Sequence, residues 1–125
     1  MAEEKRKMYN VTLVITPDKF GALKQAFNEL GICGMTVTHV EGCGTQMTHS
    51  GYYRGTPTDI SLLPKTKVEV VVSRIPVEQV VETARKILYT GAIGDGKIFV
   101  YDVEKIFRVR TGETDYDALQ YDGEK

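Results

Sequence analysis

Residues 65–101 read KTKVEVVVSRIPVEQVVETARKILYTGAIGDGKIFVY, and they contain the clearest periodic pattern in the chain. The valines that alternate between Lys65 and Val72 predict a strand. Pro76 then opens a helical pattern that Gly91 is predicted to close, and a further strand is predicted from Ile98 to Tyr101. The stretch is therefore a β-α-β unit whose second strand is entered through a glycine-rich loop.

The same order of elements occurs earlier in the chain. Met8 to Ile15 alternates as a strand does, and Thr16 and Pro17 supply a helix N-cap and a first helical residue. Gly31 ends that helix, and Met35 to Glu41 is predicted to be the next strand. Two β-α-β halves in succession predict an α+β fold of the ferredoxin-like order β-α-β-β-α-β.

The loop from Gly91 to Lys97 combines glycines with a cation, and Arg108 and Arg110 follow it two positions apart. In a strand these two arginines would share a face, which predicts a site for a polyphosphate. The loop is not a P-loop, because Ile98 stands where Ser or Thr is required and a strand follows instead of a helix. On the motif alone, a glycine-rich turn with solvated cations explains the residues equally well.

Length and composition limit the function classes. A chain of 125 residues predicts one domain, and a net charge of −1 with a pI of about 6.1 argues against a nucleic-acid binder. Asp95 and Lys97 also stand where an RNA-recognition motif needs a basic and an aromatic residue. Cys33 and Cys43 show no metal or redox spacing, and no apolar run is long enough to span a membrane. We expect a cytoplasmic protein without direct membrane insertion.

A long segment of low charge separates the two halves. Residues 42–64 contain several glycines, serines and threonines but little periodicity, which is typical of a functional loop that orders on a partner. The predicted organisation is a flexible tail at residues 1–7, a domain at 8–112 with this protruding loop, and a C-terminal acidic tail at 113–125.

Several short motifs, which run from the first strand to about Leu119, resemble those of the PII nitrogen-regulatory signal-transduction proteins. The motifs are Gly34-Met35-Thr36-Val37-Thr38, Gly42-x-Gly44-x-Gln46, Tyr53-Arg54-Gly55, Leu63-Pro64-Lys65-x-Lys67-Val68-Glu69, Thr90-Gly91-x-Ile93-Gly94-Asp95-Gly96-Lys97-Ile98-Phe99-Val100 and Arg108-x-Arg110-Thr111-Gly112-Glu113. The resemblance implies a homotrimer of ferredoxin-like subunits with ATP or ADP bound in the clefts between neighbours.

The resemblance also assigns residues to that nucleotide. It implies that the phosphates are held by Gly94, Asp95, Gly96 and Lys97, with Arg108 and Arg110 supplied by the adjacent subunit. The base and ribose would lie against Val14, Thr36, Glu69 and Val71. Gly42 and Gly44 complete the residues expected to bind nucleotide.

The same resemblance implies an effector and a partner. Gln46 would bind Mg²⁺ beside the ATP phosphates, and 2-oxoglutarate would meet Lys65 and the backbone near Gly44 and Gln46. Tyr53, Arg54 and Gly55 would dock on an ammonium transporter or another nitrogen-metabolism protein, with Arg54 entering the channel mouth. Thr58 stands where some family members carry a nucleotidylated tyrosine, so we expect no such modification there.

Some departures from the family keep a second hypothesis open. Thr45, Met47 and Thr48 replace residues that are usual in the family, which bears on the preference for ATP over ADP and on 2-oxoglutarate binding. The alternative is a PII-like nucleotide sensor with a different effector, or a nucleotide hydrolase. No pairing of a nucleophile with a base is evident, so we expect a regulator that is not an enzyme.

Overall fold

A computed structural model describes residues 6–43 and 62–120, together with the backbone of a short strand pair between them. The elements are β1 (Tyr9–Ile15), a 3₁₀ turn (Pro17–Lys19), α1 (Phe20–Glu29), β2 (Thr36–Cys43), β3 (Tyr52–Tyr53), β4 (Thr56–Pro57), β5 (Leu62–Val72), α2 (Val77–Leu88), β6 (Lys97–Asp102) and α3 (Asp115–Leu119). The order of the main elements is the predicted one.

The main sheet has four strands in the order β2-β5-β1-β6, and all neighbours are antiparallel. Leu13 at its centre pairs with Val68 of β5 and with Ile98 of β6. The strands that begin the two β-α-β halves lie side by side in the middle, and the strands that end them lie at the edges. This arrangement confirms the predicted ferredoxin-like α+β fold.

One face of the sheet carries the core. Val11 and Leu13 of β1 are fully buried, as are Phe27 of α1 and Val80 and Ala84 of α2. They belong to one hydrophobic cluster, so both long helices cover the same face. The spacing of two in the strand and of four in α2 is what brings these side chains to one layer.

The opposite face of the sheet remains accessible in the single chain. Phe99 and Tyr101 of β6 lie on it with their rings stacked at 6.5 Å, and they are 41% and 54% exposed. Val14 and Glu69 occupy the same face, because they alternate with the buried residues of β1 and β5. The residues predicted to bind nucleotide are thus concentrated on the face without helices.

Several predicted boundaries need correction. The segment predicted as a loop from residue 42 contributes Gly42 and Cys43 to β2, and β5 begins at Leu62. Gly42 pairs with Leu63 and Cys43 with Leu62, whereas β1 stops opposite Thr66. The two strands therefore extend past β1 as a two-stranded ribbon, which backbone pairing maintains without an alternating side-chain pattern.

The helix ends are only partly as predicted. Gly31 follows α1 with φ of 94°, which confirms it as the terminator. Thr16 makes no side-chain capping bond, and Pro17 begins a 3₁₀ turn before α1. The prediction that Gly91 closes α2 was wrong, because the helix ends at Leu88 and the chain is already extended at Tyr89.

The C-terminal segment is more ordered than its acidic composition suggested. Asp115 begins the short helix α3, and its carboxylate accepts a hydrogen bond from the backbone N–H of Ile106 at 3.2 Å. Arg6 lies over the ring of Tyr116 at 3.9 Å. The described part of the segment is therefore packed against the domain, while the boundaries predicted at residues 7 and 112 stay predictions.

Candidate functional site

The glycine-rich loop joins α2 to β6, which begins at Lys97. Gly94 and Gly96 both have φ of 105°, a conformation that side chains with a Cβ rarely adopt. A Cβ on Gly96 would also lie 2.2 Å from the carbonyl oxygen of Val14. Glycine at position 96 therefore lets the loop touch the end of β1 and directs Lys97 into the sheet face without helices.

Asp95 holds the shape of this loop. Its carboxylate accepts hydrogen bonds from the backbone N–H of Thr90 at 2.8 Å, from that of Gly91 at 3.0 Å, and from the Thr90 hydroxyl. The Thr90 hydroxyl, followed by the Thr90 N–H, lowers the pKa of the Asp95 carboxyl from its ordinary value. The carboxylate is thus engaged by the loop itself.

Lys65 approaches the loop from β5. Its ammonium nitrogen donates to the carbonyl oxygen of Gly94 at 3.3 Å. Gly42 lies beneath the lysine stem, since a Cβ there would come within 2.9 Å of Lys65 Cγ. The end of the β2–β5 ribbon is thereby connected to the glycine-rich loop by one side chain.

These residues surround a groove of about 370 Å³, which we call the loop groove. It lies at the end of the sheet where β1 and β2 end and β6 begins. Of the predicted residues, it brings together Val14, Gly42, Lys65, Gly94, Gly96 and Lys97. Cys43, Leu63 and Phe99 also line it, and the sequence assigned them no role in a site because their contribution depends on strand register.

A second groove of about 470 Å³, the far-end groove, lies at the opposite end of the sheet, where β2 begins and β5 ends. It brings together Thr36, Glu69, Val71 and Arg108 of the predicted residues. Asn10, Arg74 and Gln120 line it as well, and nothing in the sequence pattern had singled them out. The two grooves have no lining residue in common.

The predicted base and ribose residues are consequently divided. Val14 lies in the loop groove, whereas Thr36, Glu69 and Val71 line the far-end groove. Asn10, which lines the far-end groove, and Val14, which lines the loop groove, are four positions apart on β1, and this spacing corresponds to about 13 Å along the strand. Within the single chain, Val14 therefore lies beside the glycine-rich loop and far from Thr36, Glu69 and Val71.

The prediction that Arg108 and Arg110 share a strand face was wrong. The chain reverses after Arg108, whose carbonyl accepts from Gly112 N–H and whose N–H donates to Glu113. Gly112 has φ of 75°, which favours this reversal over an extended strand. Arg110 lies in the turn and is exposed.

The Arg108 guanidinium is held by the C-terminal segment. It contacts the Glu113 carboxylate at 3.1 Å and donates to the backbone carbonyls of Ala118, at 3.0 Å, and of Gln120. The carbonyls at the end of α3 carry partial negative charge, which suits a cation. Arg108 is thereby fixed at the edge of the far-end groove.

The remaining predicted site residues belong to the segment between β2 and β5. Gly44, Gln46, Arg54 and Gly55 lie outside the described residues, as do Thr45, Met47, Thr48 and Thr58, and only the backbone of Tyr53 is described, as part of β3. Among the residues that the structure describes, no group of three or more His, Cys, Asp or Glu side chains could hold a metal ion. No helix in the same ranges is long and apolar enough to cross a bilayer.

The fold and the loop together define a class: a ferredoxin-like domain with a glycine-rich, cationic loop between its second long helix and its last strand. The family model described as nitrogen regulatory protein P-II matches residues 8–113. The chain belongs to the nitrogen regulatory protein P-II family, as the sequence motifs had predicted.

Individual relatives agree with this assignment. The chain is 42% identical over 113 residues to the nitrogen regulatory PII-like protein of Bacillus subtilis, an alignment that covers 90% of this chain and 97% of the relative. It is 46% identical over 112 residues to the nitrogen regulatory protein P-II of Rhizobium meliloti, with 90% and 100% covered. A solved B. subtilis GlnK–ATP complex is similar in structure, with a TM-score of 0.79, 38% identity, and coverage of 94% of this chain and 100% of that chain.

Proposed function

We propose that this protein is a regulator of nitrogen metabolism that binds ATP or ADP and, with Mg-ATP, 2-oxoglutarate. It controls an ammonium transporter or a nitrogen-metabolism enzyme through the loop at residues 42–64, and it does not act as an enzyme. The observation that carries the proposal is the loop groove, where a glycine-rich backbone, Lys97 and Lys65 converge. The similarity to a GlnK structure that contains ATP supports the choice of ligand.

The loop groove is suited to the phosphates. Gly94 and Gly96 bring the backbone close to a ligand without side chains in the way, and Lys97 adds a positive charge at the start of β6. We assign the phosphates to these residues and to the backbone N–H of Asp95. The Asp95 carboxylate acts indirectly, because it holds Thr90 and Gly91 in the turn.

The far-end groove is suited to the base and ribose. Thr36 and Glu69 supply polar groups and Val71 supplies an apolar one, with Arg108 at the edge. Since the two grooves lie at opposite ends of the sheet, we propose that one nucleotide contacts the loop groove of one subunit and the far-end groove of the next. Arg108 and Arg110 then reach the phosphates from the adjacent subunit.

Such a head-to-tail contact closes into a ring, for which we propose a homotrimer. The helix-free face of the sheet supports an interface between copies, since it exposes Phe99 and Tyr101. Phe107 and Val109, near the chain reversal, are also exposed, at 67% and 100%. Apolar groups of this size on a surface mark interaction sites when they lie together.

Effector binding would involve the base of the long loop. We propose that Gln46 binds Mg²⁺ through its amide oxygen, together with the ATP phosphates. These are the hard oxygen ligands that Mg²⁺ prefers. The 2-oxoglutarate carboxylate distal to the metal meets Lys65, and backbone N–H groups near Gly44 and Gln46 bind the remainder.

The loop itself is the output of the sensor. The segment Tyr53-Arg54-Gly55 lies within it, and we propose that Arg54 inserts into the cytoplasmic mouth of an ammonium transporter. The loop base is connected to the glycine-rich loop through Lys65 and Gly42, so ligands in the loop groove can bias its conformation. Arg54→Ala is expected to abolish co-purification with the transporter and leave ATP binding intact.

Calorimetric titration tests the proposed function. ATP is titrated into the protein with Mg²⁺, with and without 2-oxoglutarate, and 2-oxoglutarate is titrated with and without Mg-ATP. We expect each ligand to tighten the other by the same factor, about 5- to 150-fold, because coupling between two sites is reciprocal. Nucleotide binding that ignores 2-oxoglutarate would favour a sensor with another effector, and absence of nucleotide binding would contradict the proposal.

A further inference from the structure

Lys65 occupies a singular position on β5. It pairs with Val40 of β2, one residue beyond the last position at which β5 also pairs with β1. Its side chain leaves the ribbon at this point, lies over Gly42 and ends on the carbonyl oxygen of Gly94. The lysine thus bridges the base of the long loop and the glycine-rich loop through one part-buried hydrogen bond.

This bond fixes the orientation of the peptide between Gly94 and Asp95, whose N–H we have assigned to the nucleotide phosphates. A peptide unit is planar and trans, so the Gly94 carbonyl and the N–H of Asp95 point in opposite directions. With the carbonyl held by Lys65, the Asp95 N–H is aimed away from the lysine. The Asp95 carboxylate fixes the preceding turn through Thr90 and Gly91. The glycine-rich loop is therefore held at two places, at Thr90 and Gly91 by Asp95 and at Gly94 by Lys65.

We propose that Lys65 is a positioning residue of the phosphate-binding loop, in addition to its proposed contact with the effector. The inference rests on the proposed function for the identity of the two ligands. In the chain without effector, the ammonium orients the Gly94–Asp95 peptide. When 2-oxoglutarate binds, its carboxylate accepts from another N–H of the same ammonium, which has three donors, so the effector reinforces the bond to Gly94 and its occupancy is transmitted to the backbone at the nucleotide phosphates.

The chain offers a matched control in Lys67. It lies two residues further along the same face of β5, so its substitution by Met also removes one positive charge from that face. Its ammonium lies 3.8 Å from the Glu69 carboxylate, and it lines neither groove. A general electrostatic effect on an anionic ligand would respond to either lysine, whereas a positioning effect requires Lys65.

The experiment compares the full-length protein with its Lys65→Met and Lys67→Met variants. In the absence of any ligand, we expect Lys65→Met to shift the carbonyl ¹³C resonance of Gly94 and to speed amide exchange at residues 94–97. ATP binding measured without 2-oxoglutarate should weaken about five- to tenfold, which is the order of effect that loss of one ordinary intramolecular hydrogen bond produces. Lys67→Met should leave the Gly94 resonance unchanged and alter affinity less than about twofold.

A second variant preserves the charge. Gly42→Ala adds a Cβ at 2.9 Å from Lys65 Cγ, so it should displace the stem and shift the Gly94 resonance in the same direction as Lys65→Met. In the wild-type protein with Mg-ATP, addition of 2-oxoglutarate should move this resonance in the opposite direction, because the bound carboxylate fixes the ammonium in place.

Three results would overturn the inference: an unchanged Gly94 resonance in Lys65→Met, equal losses of ATP affinity in the two lysine variants, or no response of Gly94 to 2-oxoglutarate. The measurements without ligand test the Lys65 bond even if ATP does not bind. Absence of ATP binding in the wild type would contradict the proposed function alone.

Discussion

Gly96 is the residue at which the loop meets β1 most closely. The contact of its backbone with Val14 leaves no space for a Cβ, and its φ of 105° is unfavourable for any other residue. The sequence pattern could identify Gly96 as part of a motif. It could not show that contact with Val14 is why position 96 requires glycine, because the two residues are brought together only by the pairing of β1 with β6.

Gly96→Ala is therefore expected to lower the free energy of unfolding by about 3 kcal/mol or more, since steric overlap adds to backbone strain. Nucleotide binding should fall with it, because the loop must move away from β1. Gly112→Ala is the control: its φ is 75°, but no atom lies within 4 Å of the added Cβ. Strain alone should cost about 1–2 kcal/mol there. Urea denaturation that gave equal losses for both variants would refute the steric account.

At the scale of elements, the periodic segments were predictable and their connections were not. The alternation in β1 and β5 and the apolar spacing in α2 directly reflect burial on one face, so the fold followed from sequence. The reversal after Arg108 depends on hydrogen bonds closed by Gly112 and Glu113, which a spacing of two residues does not encode. The ribbon at Gly42 and Cys43 likewise depends on a partner strand.

The loop between α2 and β6 depends on the bond between Thr90 and Asp95. Because this bond lowers the pKa of the Asp95 carboxyl, its contribution to loop order is present above the carboxyl's unfolded pKa and is lost as the pH falls through the lower, folded pKa. We expect the amide proton shifts of Thr90 and Gly91 to titrate with a midpoint below the ordinary value of about 3.9. Thr90→Val should raise that midpoint by removing the hydroxyl donor, and an unaltered midpoint would show that the hydroxyl is not its cause.

In the whole molecule, the two grooves lie at opposite ends of the sheet, so one nucleotide can contact both only across an interface between copies. The sequence motifs pointed to residues in both grooves, yet they could not assign them to separate ends of the sheet. Lys97 lies in the loop groove and Arg108 at the far-end groove. If one nucleotide contacts both grooves across an interface, each site in a ring combines Lys97 of one subunit with Arg108 of its neighbour.

Subunit mixing tests whether each nucleotide site is shared between two subunits. Lys97→Met and Arg108→Gln proteins are each expected to bind ATP at least tenfold more weakly than the wild type, because each loses its proposed charge-assisted contact to phosphate. Circular dichroism and sedimentation would verify that both fold and assemble, since Arg108 also contacts Glu113 and the C-terminal carbonyls. The two proteins are then unfolded together, refolded as a mixture, and titrated with ATP calorimetrically.

If the protein forms the proposed homotrimer, every mixed trimer should regain one intact site, which pairs Lys97 of an Arg108→Gln subunit with Arg108 of a Lys97→Met subunit. Random assembly at equal concentrations therefore predicts wild-type affinity at about a quarter of all sites. Recovery of that fraction would establish a site shared between subunits. A mixture that binds no more tightly than the separate variants would contradict the account and would place the whole nucleotide site within a single chain.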